Sequence, residues 1–319
     1  MEKIKYLIYE GGGTKAVVTT GMSLALEREV PNFSLEDAEF VLATSGATAT
    51  LFYSLSHASH GDEQDKYEHI TQKVCLELLA DKQFVDISLN RIFGKEPIMN
   101  IEYLTSTLFR REAPFNESMI RDVKQGWAFP TYCMIEQSTV FVCNERGAEG
   151  IPLGCKRYVI SEKDDLYNLL AAAKSAPVLS NRSFIVGAHM LLDGAIEFPL
   201  PIVSYESKSL ILLSSRRTGL WTGIKCVLLT GVLGNILQLW KKDRLPAKLI
   251  WKAGMRKIIH WRQLRKLKPL EKSGLVLVIE PLKNLGSNRS NGDDVLKSNF
   301  DMGYETVRRM KNVIADFVG

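Results

Sequence analysis

Short apolar runs alternate along the chain with stretches in which apolar residues recur at helical spacing. The first kind of pattern predicts buried strands and the second predicts helices packed on a sheet. Predicted strands lie at 3–9, 40–42, 139–142, 156–161, 184–192, 207–214 and 273–281. Predicted helices lie at 16–30, from residue 46 to about 55, and at 69–79, 101–109, 164–173 and 293–318, the last with a break near Gly303. Alternation of this kind indicates an α/β fold with a mostly parallel sheet.

The stretch 40–53 carries the first candidate for chemistry. The apolar run 40–42 ends in Ala43-Thr44-Ser45-Gly46-Ala47, and a helix is predicted to follow. A strand that turns sharply into a helix holds a serine hydroxyl clear of the sheet and directs the next backbone N–H groups at one point. Ser45 is therefore predicted to be a nucleophile.

A glycine-rich loop follows the first predicted strand. Its residues are Gly11-Gly12-Gly13-Thr14-Lys15, and a helix is predicted directly afterwards. Glycines let the backbone approach a ligand closely, and the start of a helix offers N–H groups to an anion. A plain tight turn is the alternative interpretation. The loop lacks the Gly-Lys-Ser/Thr ending of a nucleotide-binding P-loop.

A third small motif, Asp193-Gly194-Ala195, comes after the apolar run 184–192. The carboxyl ends of parallel strands share one edge of an open α/β sheet, and ligands bind there. The glycine loop, Ser45 and Asp193 are therefore expected to meet in one crevice. A nucleophile, a base and a pocket for an oxyanion are the groups that acyl transfer requires.

These three motifs, in this order, resemble the patatin-like phospholipases, in particular their bacterial branch. The small residues before Pro177, the segment 193–202 and the C-terminal stretch 299–309 are also similar to that branch. The resemblance implies a three-layer α/β/α fold with a central, mostly parallel sheet. It implies one domain over 1–319, which includes a basic helical segment at 216–268 and a C-terminal strand and helices at 271–319.

The resemblance also implies a function, that of a serine lipid acyl hydrolase of the phospholipase A or lysophospholipase type. Ser45 would be the nucleophile and Asp193 its base. The loop from Gly11 to Lys15 would hold the oxyanion. No metal or cofactor is implied, and the substrate would be a phospholipid or another acyl ester.

Three positions depart from the family pattern, because Ala16, Ala43 and Ala47 stand where the family has glycine. A strained turn costs roughly 1–3 kcal/mol, whereas a displacement of about 1 Å in positioned groups costs about 100-fold in rate. The changes are therefore expected to threaten rate more than fold. A weakly active or inactive protein that binds lipid or a partner is the alternative function. An esterase triad with His189 or His260 as base is a third.

Composition indicates the class of protein and its cellular compartment. The chain has 319 residues, with 45% hydrophobic and 24% charged, as in ordinary soluble proteins. Its five cysteines are scattered without a CxxC pair, so neither a zinc site nor a disulfide framework is predicted. The charged N-terminus does not read as a secretory signal. A cytoplasmic protein, peripheral to a membrane at most, is expected, and delivery to another cell is left open.

Charge is concentrated in the segment 216–268, which holds fourteen Lys or Arg and one acid, a net +13 against −8 elsewhere. Within it, a stripe of basic residues and two tryptophans form the predicted contact with an anionic membrane surface. These candidates are Arg244, Lys248, Lys252, Arg256, Trp251 and Trp261. A solvated helix packed on the domain is the alternative, and nucleic-acid binding is not expected because no recognition motif accompanies the stripe. The apolar stretch 220–240 is long enough to span a membrane, but Lys225, Asn235 and Gln238 interrupt it.

Overall fold

A computed structural model of the protein describes residues 3–57, 71–81, 83–86, 88, 91, 96–180, 182–217, 219–238, 245–283 and 292–319. Within these residues, nine strands form one sheet. They are β1 (Ile4–Tyr9), β2 (Ala38–Ala43), β3 (Gly126–Cys133), β4 (Ser138–Cys143), β5 (Lys156–Val159), β6 (Phe184–Val186), β7 (His189–Asp193), β8 (Ser209–Leu212) and β9 (Val276–Ile279).

The helices connect these strands across both faces of the sheet. They are α1 (Ala16–Glu29), α2 (Thr48–His57), α3 (Ile101–Tyr103), α4 (Glu117–Asp122), α5 (Glu145–Gly150), α6 (Leu166–Lys174), α7 (Leu220–Cys226), α8 (Gly234–Gln238), α9 (Ala247–Lys272) and α10 (Asp293–Val318). π-helical turns extend α3 over Leu104–Glu112 and join α7 to α8 over Val227–Leu233. A further π-helical turn covers Lys73–Glu77.

The sheet is mixed but mostly parallel. Its main path runs in the order β5-β4-β3-β2-β1-β8-β9, and the β6–β7 hairpin joins at β3. Antiparallel pairing occurs between β3 and β4, between β3 and β7, and within the hairpin. The remaining neighbours in the path run parallel.

Alternate residues of the central strands supply two cores. Leu7 and Val41 point into a large core that also contains buried residues of α1, α2, α6 and α10. Ile8 and Leu42 point the other way, into a smaller core with buried residues of α9. Helices therefore cover both faces of the sheet, and the predicted three-layer α/β/α fold is confirmed.

Several details of the predicted elements are wrong. The run 184–192, predicted as one strand, forms the β6–β7 hairpin with a turn between the two strands. Strand β3 was not predicted as a strand of its own, because Gly126 and Pro130 are residues that weaken a strand pattern. The last helix has no break at Gly303. A Cβ at Gly303 would lie 2.0 Å from the carbonyl oxygen of Val18, so this glycine serves the close packing of α10 on α1.

Candidate active site

Strands β2 and β7 lie along the same side of β3 and point towards each other. The register pairs Leu42 of β2 with Ala128, and Asp193 of β7 with Thr131. Pro130 falls in the gap between these two pairings, where this edge of β3 has no partner strand, although its other edge is paired with β4. Both strands therefore end at this gap. The sequence predicted that Asp193 would arrive on a parallel strand, whereas it arrives antiparallel and head-on.

Ser45 stands at the end of β2 in a left-handed backbone conformation. Its φ is +53°, a value that a residue with a side chain rarely adopts. The turn Ser45–Ala47 follows, and α2 begins at Thr48. Thr48 Oγ1 donates a 2.6 Å hydrogen bond to the carbonyl oxygen of Ser45, which helps to hold the turn. The predicted strand–turn–helix arrangement is therefore present, with the backbone strain localised at the serine itself.

The side chains of Ser45 and Asp193 are in direct contact. Ser45 Oγ donates to Asp193 Oδ2 at 2.6 Å, and the backbone N–H of Ala195 donates to Oδ1 at 2.9 Å. Both residues are buried. Burial raises the pKa of Asp193, and this effect outweighs the two hydrogen bonds and the positive charges of Arg256 and Lys174, which favour the ionised form. The carboxyl group is consequently a stronger base than an exposed aspartate.

The glycine loop packs against this serine turn. A Cβ added to Gly11 would lie 2.8 Å from the Cβ of Ser45, and one added to Gly46 would lie 2.5 Å from the carbonyl oxygen of Gly13. Gly13 itself has a φ of +61°. The close approaches that require glycine are thus at Gly11 and Gly46, on either side of the contact between loop and turn.

The three alanines that depart from the family pattern are accommodated. Ala16, Ala43 and Ala47 are all buried in the large core. Within the turn, the position with no room for a side chain is Gly46, directly after the serine.

Lys174, at the end of α6, is part of the site although sequence reasoning gave it no role. Its side chain is 7% exposed, and Nζ donates a 2.7 Å hydrogen bond to the carbonyl oxygen of Gly46. The amine also lies 5.6 Å from the centre of the Phe109 ring. Burial lowers the pKa of Lys174 to about 7, against the attraction of Asp193. The signal in the sequence was a lysine inside an otherwise small and apolar stretch, 170–177.

A buried contact between a carboxylate and a histidine supports the base of the glycine loop. Glu10 Oε1 lies 2.9 Å from His260 Nε2 of α9, and Glu10 Oε2 accepts a 2.7 Å hydrogen bond from the backbone of Ser214. Ser214 Oγ in turn donates to the carbonyl oxygen of Gly11 at 3.0 Å. Burial tends to raise the pKa of Glu10, but His260, together with Lys257 and the Ser214 backbone, outweighs burial and the pKa is lowered. This network ties together β1, the end of β8 and α9.

The histidines proposed for a triad lie elsewhere. His260 is held by Glu10, and His189 lies 3.1 Å from Glu136 at the far end of β7 from Asp193. Within the residues described, neither lines the cavity beside Ser45. The structure therefore gives no geometric support to a histidine base from this pair.

A cavity of about 730 Å³ opens beside Ser45 and Asp193, and Gly12, Gly13 and Thr14 form part of its wall. The wall is otherwise mainly apolar and includes Val17, Val74, Leu79, Phe84, Leu104 and Phe109. Four basic residues also line it: Lys174, Lys225, Arg256 and Lys257. The size lies within the range typical of ligand-binding cavities. Lys15 is half-buried beside the loop, where burial and the charge of Lys257 lower its pKa.

The predicted basic stripe does not form a single exposed face. Lys252 is paired with Glu197 at 2.6 Å, and Arg256 lines the cavity; membrane contact by these two residues stays a prediction. Lys248 is exposed and bonds Gln137 at 3.3 Å. Arg244 lies outside the described residues.

The two candidate tryptophans differ in their surroundings. Trp251 is partly exposed and packs over Gly231, whereas Trp261 is half-buried beneath the guanidinium of Arg265. Membrane contact by each of the six candidates stays a prediction.

Comparison with known proteins adds little. No protein-family model matches the chain, and no curated protein matches it. Among solved structures, VipD from Legionella pneumophila is similar in fold, with a TM-score of 0.40 and 10% sequence identity over 96% of this chain and 67% of that one. This structural likeness is distant.

Proposed function

We propose that the protein is a serine lipid acyl hydrolase of the phospholipase A or lysophospholipase type. The observation that carries the proposal is the 2.6 Å hydrogen bond from Ser45 to Asp193, made from a strained turn beside a large apolar cavity. Strained backbone is often found at functional sites. The resemblance of the three motifs to patatin-like phospholipases points to the same reaction.

The reaction would proceed through an acyl-enzyme. Asp193 Oδ2 accepts the Ser45 hydroxyl proton as Oγ attacks the ester carbonyl carbon. The carbonyl oxygen becomes an oxyanion, which backbone N–H groups of the loop from Gly11 to Lys15 would stabilise. The alcohol then leaves with the proton from Asp193. Water then attacks the acyl-enzyme carbonyl carbon as Asp193 accepts one of its protons. The tetrahedral intermediate expels Ser45 Oγ, which takes that proton from Asp193, and the other proton of the water leaves with the fatty acid.

The surroundings of Asp193 suit this role. Burial raises its pKa and so increases its basicity, while Arg256 and Lys174 oppose part of that rise. The chemistry uses only groups of the chain, so the proposal calls for no metal or cofactor.

The cavity indicates the class of substrate. Its apolar wall suits an acyl chain, and its cations Lys225, Arg256 and Lys257 suit a phosphate. A phospholipid or a related acyl ester combines the two groups. Such a substrate would bring the protein to a membrane surface, so we place it in the cytoplasm with peripheral membrane contact.

Release of fatty acid from phospholipid vesicles tests the proposal. The natural sequence should release fatty acid, and Ser45→Ala should lose that activity while it retains the melting temperature of the parent. A His189→Ala variant should remain fully active, because its side chain lies away from the dyad. Full hydrolysis by Ser45→Ala would rule the mechanism out. Lipid binding without turnover in the parent would favour the alternative of a binding protein.

A further inference from the structure

The helix Leu220–Gln238, formed by α7, the π-helical turn and α8, is the most apolar exposed element in the described chain. It is long and apolar enough, by length and composition, to cross a membrane, with a mean hydropathy of 1.6. Only 17% of its most apolar window is buried. An ordinary helix of a soluble protein buries its apolar residues, so this surface needs a partner.

One side of the helix is fixed to α9 through glycines. A Cβ on Gly231 would lie 2.8 Å from the Trp251 ring, and one on Gly223 would lie 2.9 Å from Ile258. The two helices can therefore approach closely along this line. The contact holds the helix against the domain in a defined orientation.

A second side lines the cavity beside Ser45. Lys225, Leu229, Leu233 and Leu237 are part of its wall. Leu229 is nevertheless 61% exposed and Leu233 is 48% exposed. These two leucines lie both on the cavity and on the outer surface, so they mark the mouth of the cavity.

The third side faces outward and is apolar. Trp221 is 77% exposed and Leu228 is 57% exposed, and Val232 and Ile236 are exposed beside them. This outer face is continuous with the mouth at Leu229 and Leu233. An apolar surface that leads directly into an apolar cavity suits contact with the hydrocarbon interior of a lipid bilayer.

We propose that this outer face inserts into one leaflet of a phospholipid bilayer and opens the cavity to the acyl chains there. The inference rests on the proposed function, because it names the phase from which the substrate enters. Exposed Trp221 suits the interface between acyl chains and headgroups. Lys225, an exposed cation on the same helix, can extend to a phosphate.

The helix lies in the surface and does not span the bilayer. Its α9-facing side packs on protein, and its cavity side carries Lys225 towards the site. A spanning helix would have to expose those sides to hydrocarbon, where an unpaired charge is costly.

Sedimentation with vesicles of ether-linked phosphatidylcholine and phosphatidylglycerol tests the proposal, because ether lipids have no ester to hydrolyse. The parent protein should bind. The double variant Leu228→Glu/Val232→Glu should bind the vesicles with an affinity at least about tenfold lower, because two charges oppose insertion. A matched control, Leu153→Glu/Val313→Glu, places the same charges on exposed apolar residues elsewhere and should bind like the parent.

Fluorescence reports the contact itself. Vesicles should shift the tryptophan emission of the parent to shorter wavelength, and Trp221→Phe should remove most of that shift. Hydrolysis of a short, soluble ester should be unchanged in Leu228→Glu/Val232→Glu, because neither residue lines the cavity.

Four results would overturn the proposal. The parent could fail to bind vesicles, or both double variants could bind equally well. The parent could instead be an oligomer in solution that Leu228→Glu/Val232→Glu converts to a monomer, which would assign the face to a second copy of the chain. Bound parent that resists alkaline carbonate extraction would indicate a spanning helix. If the parent binds vesicles but hydrolyses no ester, the proposed function of the dyad is rejected and the membrane contact is not.

Discussion

Gly46 is predicted to be the position at which the serine turn is least tolerant of a side chain. The Cβ of a Gly46→Ala variant would lie 2.5 Å from the carbonyl oxygen of Gly13 and 2.9 Å from the Cβ of Ala16. Ordinary contacts begin at 3.4 Å, so the turn and the glycine loop must separate by about 0.9 Å. The displaced atoms are backbone atoms, which have no alternative rotamer.

The displacement should affect rate more than stability. Overpacking of this kind costs about 1–3 kcal/mol, which a domain with a total stability of about 5–15 kcal/mol survives. A misplacement of about 1 Å between nucleophile and oxyanion donors costs about 100-fold in rate. Gly46→Ala should therefore remain folded and lose about two orders of magnitude in kcat/KM.

The assay is hydrolysis of a soluble ester, paired with urea unfolding of the same preparations. Ala47→Gly serves as the matched control, since it removes a methyl group one residue further on and introduces no clash; its kcat/KM should stay within a few-fold of the parent. Full activity in Gly46→Ala would refute the reasoning. Equal losses in both variants would show that the site is sensitive to any change in the turn.

Three further changes test the groups around the dyad. Asp193→Asn should fold normally and lose about 10²–10⁴-fold in kcat/KM, as expected for removal of a general base. In the pH–rate profile of the parent, the acid limb should lie above the usual aspartate pKa, because burial raises the pKa of Asp193. Lys174 binds a proton in the unfolded chain but not in the folded one between its folded pKa of about 7 and the ordinary lysine value of 10.5. As the pH rises through that window, the free energy of unfolding of the parent should therefore increase relative to that of Lys174→Met, by up to about 5 kcal/mol. Urea titrations of both proteins at successive pH values measure this difference. If the two free energies change with pH in parallel, the burial of this amine is contradicted. Glu10→Gln should lower the free energy of unfolding by about 3 kcal/mol near pH 7, because it breaks a buried pair. Since the pKa of Glu10 is lowered, the difference in melting temperature between parent and variant should shrink as the pH falls below 4.5. An unchanged difference at low pH would contradict the pairing with His260.

Much of the fold follows from local pattern. The runs that became β1, β2, β8 and β9 are short, apolar and rich in branched residues, and the helical stretches between them have clear periodicity. The glycine loop, the serine turn and Asp193 were found because each combines small residues with the end of such a run. Local chemistry was sufficient for those positions.

Tertiary relations could not be predicted in the same way. The antiparallel approach of β7 depends on pairing with β3, a strand that Pro130 concealed. Lys174 and Glu10 acquire their roles only from burial and from partners more than a hundred residues away. Helical spacing placed Lys252 and Arg256 on one stripe, but it carried no information about Glu197 or the cavity that faces them.

The central claim is that Ser45 is a nucleophile activated by Asp193. Intact-mass analysis after treatment with a fluorophosphonate tests this most directly. We expect one covalent adduct on Ser45, no adduct in Ser45→Ala, and much slower labelling in Asp193→Asn at the same pH. A parent protein that remains unlabelled, or a Ser45→Ala variant that labels as fast as the parent, would contradict it.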